Sequence, residues 1–175
     1  THQDWLATFL AAAGEPTIKE KLLKGHKAGK KTFKVHLDGF NMLPYLKGEV
    51  KESPRQSFFY ISDDGDIMAI RMQDWKVVLM EQRAKQLACW IEPFVKLRAP
   101  KLFHLRRDPF ERADENANTY WDWYISHAYI IYGMQAAVAA QIENFVKFPP
   151  RQKPASFNLD AVMRELEAAG GGGNH

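Results

Sequence analysis

One cysteine, Cys89, stands in the 175 residues, so no disulfide can close within the chain. Metal-ligand spacing is also missing. His2, His26, His36, His104, His127 and His175 form no His-x-x-x-His pair, and none has a cysteine cluster beside it. There is no Gly-rich phosphate loop, no Ser/His/Asp set and no pair of carboxylates at catalytic spacing. The longest apolar stretch, Ala128 to Ala140, is interrupted by Gln135 and too short to span a bilayer. A net charge of +3 is too small for a nucleic-acid protein. No signal peptide opens the chain; it starts at Thr1 on a helical pattern, as a cut within a longer protein would.

The composition, 46% hydrophobic and 26% charged, is that of a globular protein. Aromatic residues are abundant at 13%, so rings supply much of the apolar area for a core or an interface. Seven lysines between Lys19 and Lys34, Lys30 among them, face the single acid Glu20. Such a run is a solvated face, or else a patch for anionic substrates.

Thr1 and Asp4 have the spacing of a capping box, and Trp5, Leu6, Phe9, Leu10 and Ala13 follow on one helical face until Gly14. From Phe33 the period becomes two, predicting a strand through Val35 and Leu37. Strands are predicted at Ser57 to Ile61, Ile67 to Met72, Trp75 to Met80 and Leu87 to Ile91, with a short one at Lys101 to Leu105. Asp63-Asp64-Gly65-Asp66 and Gln73-Asp74 supply hairpin turns, and the acidic turn lacks the twelfth-position acid of a calcium loop. Asn118-Thr119, with Asp122 three residues on, predicts the start of a long helix to about Val146, and Asn158 that of a last one over Leu159 to Ala168. The fold class is therefore α+β: an antiparallel sheet of about four strands packed with an N-terminal helix and a long C-terminal helix. So small a sheet cannot cover both helices, which predicts burial against something further. Cys89, in Leu87-Ala88-Cys89-Trp90-Ile91, reads as an inert core thiol. In Arg106-Arg107-Asp108-Pro109-Phe110-Glu111-Arg112, the Asp-Pro turn has charges able to tie it to the sheet.

Three segments resemble the C-terminal region of bacterial arylsulfatases, in the alkaline-phosphatase-like superfamily. His2 to Gly14 is similar to the family's D-x-x-P-T-L-L-x-x-A-G helix, with Ala7 where that pattern has proline. Leu37 to Gly48, Ser53-Pro54-Arg55 and Phe58-Phe59-Tyr60 resemble D-G-x-x-L-x-P-x-L-x-G, S-P-R and F-F-Y. Lys101 to Glu111 looks like the L-Y-x-L-x-x-D-P-x-E strand and turn. The resemblance implies a parent enzyme that hydrolyses sulfate esters with a formylglycine nucleophile and a calcium ion, in a periplasmic or secreted setting. It divides the chain into residues 1–32, at the edge of a catalytic domain, a C-terminal subdomain at 33–169 and a flexible tail at 170–175.

None of that machinery maps here. Cys89-Trp90-Ile91-Glu92-Pro93 is not the Cys-x-Pro-x-Arg maturation sequence, so the expected catalytic, metal and cofactor lists are empty. His36, His104 and Lys30 are candidates for a substrate rim, because sulfated substrates are anionic. The expected partner is a catalytic domain, with a homo-oligomer through the apolar helix as a further possibility; no nucleic acid or membrane is expected. The alternative functions are a non-catalytic binding or oligomerisation module and the C-terminal part of a phosphate or phosphonate ester hydrolase.

Overall fold

A computed structural model describes residues 1–149, 151, 155, 156, 162, 163 and 166. The expected helix over 159–168 falls mostly outside these residues, and the tail 170–175 wholly so. Along the chain run α1 (His2–Ala12), α2 (Ile18–Lys24), β1 (His26–Ala28), β2 (Lys31–Phe33), α3 (Leu43–Leu46), β3 (Ser57–Ile61), β4 (Ile67–Met72) and β5 (Trp75–Glu81). A 3₁₀ turn (Gln86–Trp90), β6 (Val95–His104), α4 (Ala113–Asn116), α5 (Tyr120–His127) and α6 (Tyr129–Lys147) follow. The class is α+β, as the patterning predicts.

The main sheet is an antiparallel meander in the order β3-β4-β5-β6, and β1 and β2 form a separate hairpin. Its turns use the expected residues: Gly65 takes φ +90°, and Gln73 takes φ +51° where Met72 and Trp75 close a two-residue loop. Alternation puts Ile70, Val77 and Leu102 on one face, where they bury against Met134 of α6. Each such side chain contributes roughly 1.5–3 kcal/mol on burial. Trp75 stacks on Trp123 of α5 with ring centroids 5.9 Å apart.

Four expectations are corrected. Leu87 to Ile91 is not a strand: Gln86 turns at φ +55°, the residues form a 3₁₀ turn, and Leu87, Trp90 and Ile91 are 79%, 86% and 83% exposed. The fourth strand is β6, whose ten residues absorb the short strand expected at Lys101 to Leu105. Apolar composition alone misled there, because it does not distinguish residues that join the ladder from residues left at the surface. The strand from Phe33 to Leu37 is also absent. Only Lys31–Phe33 pairs, because β1 offers three residues to pair with, and Val35 instead donates to the Leu22 carbonyl at 3.0 Å. The long helix divides at Ala128 into α5 and α6, and Thr119 stands at the N-cap without a side-chain cap bond. Cys89, finally, is exposed rather than in the core, its thiol donating to the Gln86 carbonyl at 2.8 Å.

Candidate functional site

The capping box at Thr1 and Asp4 forms, and Asp4 does far more than cap. Only 2% exposed, its carboxylate accepts hydrogen bonds from Arg55 Nε at 2.7 Å, Arg55 Nη2 at 2.5 Å, the Phe40 N–H at 2.8 Å and the Thr1 nitrogen at 2.9 Å. Burial by itself would raise the Asp4 carboxyl; the bonds from Arg55, Phe40 and Thr1 outweigh it and hold the group well below the usual carboxylate range. Arg55 also donates to the carbonyls of Ser57 and Asp38, and its guanidinium lies over the Phe40 ring at 4.8 Å. Thr8 Oγ1 donates to the Asp4 carbonyl and accepts from the Met42 N–H.

Glycine is required at position 39, because a Cβ there would sit 2.0 Å from the Gln3 carbonyl oxygen. Asp4 on α1, Gly39-Phe40 on the connection and Arg55 before β3 thus make one buried junction. A second tie holds the third segment: Lys76 of β5 pairs with Glu111 at 2.7 Å, and Asp108 accepts from the Ala113 N–H at 2.8 Å. Lys101 of β6 bridges Glu81 and Asp114 at 2.5 and 2.6 Å. Burial would lower this lysine, and the two carboxylates more than reverse that and raise it. Charges do tie the Asp-Pro turn to the sheet, as expected.

A groove of about 820 Å³ runs between residues 35–38, the acidic turn 61–65 and the end of α6. An adjoining hollow of about 380 Å³ shares His36, Asp38, Ile61 and Asn144 with it. His36 Nε2 lies 3.1 Å from Asp38 Oδ1, which also accepts from Asn144 Nδ2 at 3.0 Å. The imidazole stacks flat on Phe148 with centroids 3.9 Å apart. With its proton on Nε2 facing Asp38, His36 keeps an acceptor at Nδ1, a buried atom without a partner among the described residues. Asp64 accepts from Ser156, which holds its carboxyl below the usual value. Arg151 donates to the Lys34 carbonyl at 2.8 Å. These groups fix the groove walls, whose lining is more apolar than polar.

The three rim candidates are not brought together. His36 sits half-buried in the groove, on an irregular segment rather than on a strand. His104 ends β6, edge-on to Trp75 at 4.6 Å, and lines a separate hollow of about 250 Å³ with Leu102 and Trp123. Lys30 is exposed beside the β1–β2 turn and lines none of these hollows. Sequence reasoning missed Asn144 and Phe148, which reach His36 and Asp38 across more than a hundred residues and carry no local signal. Among the described residues no three His, Cys, Asp or Glu side chains gather to hold a metal ion. With Cys89 outside any maturation sequence, these residues fit neither calcium nor formylglycine. Compared with known proteins, the chain matches no family model and no curated protein.

Proposed function

We propose that this chain is the C-terminal portion of an arylsulfatase-type sulfate ester hydrolase, inactive by itself. It docks on a catalytic domain that supplies the nucleophile, the calcium and the cationic residues. The observation that carries this reading is the Asp4–Arg55 junction. Two of the segments that resemble the family, 51 positions apart at this pair, meet through their own quoted residues Asp4, Gly39 and Arg55. Residues with an architectural role explain why the resemblance brings no reacting group with it.

The outer face of α1 supports docking. Trp5, Leu6 and Phe9 are all exposed, with Trp5 stacked on Phe9 at 5.3 Å, a cluster that a partner domain would cover. Leu87, Trp90 and Ile91 project in the same way from the 3₁₀ turn. The test is twofold. Purified chain incubated with 4-nitrophenyl sulfate and calcium should release no nitrophenol, and calcium-dependent turnover would refute the proposal. The coding sequence upstream of Thr1 should contain an in-frame Cys-x-Pro-x-Arg; a reading frame lacking it overturns the assignment to this enzyme class.

A further inference from the structure

From Trp123 to Ile142 the chain has no Asp, Glu, Lys or Arg. On the inner side this is expected, since Ile130, Ile131, Met134 and Val138 pack on the sheet. The outer side is equally uncharged, and it is open. Trp121, Ile125, Tyr129 and Tyr132 are 59%, 72%, 68% and 70% exposed. Ala128 keeps helical angles of φ −59° and ψ −24°, so the stripe continues across the junction of α5 and α6. Beyond the rings, Ala136 and Ala139 are exposed, and at Gly133 even a Cβ would meet nothing within 4 Å. A solvated helix face normally alternates polar and charged residues; this one has a ridge of rings beside a low floor.

We propose that the outer face of α5 and α6 is an isologous interface between two copies of this chain. Self-pairing through a two-fold axis demands a patch complementary to itself. The charges at the two ends of the stripe meet that demand. Asp122 lies exposed at its start, and Glu143 and Lys147 lie exposed at its end, four residues apart. An antiparallel pairing with its dyad between Met134 and Gln135 sets Asp122 of one copy opposite Lys147 of the other, twice. The same register seats Tyr129 and Tyr132 of each copy against the alanines at 136, 137, 139 and 140 of its partner.

Area agrees. With roughly 200 Å² for a whole aromatic side chain, each exposed ring leaves on the order of 130 Å² in water. With Ile125 and the alanines the face offers about 600–700 Å², close to the ~800 Å² per partner of a standard specific interface. The inference is independent of the sulfatase reading, because self-association is read without substrate.

The experiment is sedimentation equilibrium of the whole chain at about 50 μM, where a micromolar dimer is populated. The expected mass is twice the 20.1 kDa of one chain. The variant I125K/Y132K should be monomeric with an unchanged circular dichroism spectrum, since both positions are exposed. K147E and D122K should each weaken the dimer by about fivefold, two surface pairs being lost, and D122K/K147E should restore it. A wild-type monomer at that concentration overturns the proposal, as does a dimer that survives I125K/Y132K. Failure of the charge swap to restore association overturns the antiparallel register.

Discussion

Replacing Arg55 with methionine is the sharpest probe of the junction that joins α1 to the sheet. The variant keeps an unbranched apolar side chain and removes the guanidinium that pairs with Asp4 and lies over Phe40. Asp4 then stays 2% exposed with only the Phe40 N–H and the Thr1 groups as donors. Removing one member of a buried pair costs roughly 3–5 kcal/mol, and the surviving bonds place the loss near the lower end, about 3 kcal/mol. For a domain of this size that is a fall in Tm of roughly 6–12 °C, read by circular dichroism at 222 nm.

The pH dependence gives a second, independent check. In the native protein the Asp4 pKa lies below its unfolded value, so its stabilisation is present above about pH 4 and is lost as pH falls through the folded pKa. In the variant burial acts without Arg55, the folded pKa rises, and acid relieves the penalty by protonating Asp4. Both effects narrow the gap between the two proteins at low pH. The difference in Tm should therefore be larger at pH 7 than at pH 3. The double variant D4L/R55M should recover part of the loss at pH 7, because no charge is left buried alone. A fall of less than about 2 °C, or a gap unchanged between pH 7 and pH 3, would refute the reasoning.

Three further outcomes follow from the same geometry. Gly39→Ala forces a methyl against the Gln3 carbonyl and should cost about 3 kcal/mol or more, seen as a lowered urea midpoint; an unchanged midpoint would mean the close approach is not required. Tyr120→Phe removes a buried hydroxyl that donates to the Leu102 carbonyl and accepts from its N–H, both at 3.1 Å, and should cost about 1–3 kcal/mol in the same titration. Cys89 should react with a thiol reagent in the native state at close to its rate in denaturant, whereas a core thiol would react only after unfolding.

Particular elements show where local reading works. The hairpins at Asp63–Asp66 and Gln73-Asp74 were legible because turn chemistry is local and needs specific backbone angles. The strands Ile67 to Met72 and Trp75 to Met80 were legible as apolar runs, but which of their residues turn inward, Ile70 and Val77 beside Leu102, was set by the register of the sheet. Leu87 to Ile91 was misread because an apolar run says that residues avoid water, not which surface will cover them. The groove was illegible. Asp38 and Asn144 are 106 positions apart, and neither has a sequence neighbour that hints at the other.

The sequence alone determined the class of fold and the sheet's turns, because propensity and period act over a few residues. Tertiary structure decided the rest. It turned Asp4 from a helix cap into the buried partner of Arg55, separated His36 from His104, and left an uncharged aromatic face on α5 and α6 open to water. The physical reason is common to all three: desolvation and pairing are settled by which distant segments meet, and only the folded chain brings them together.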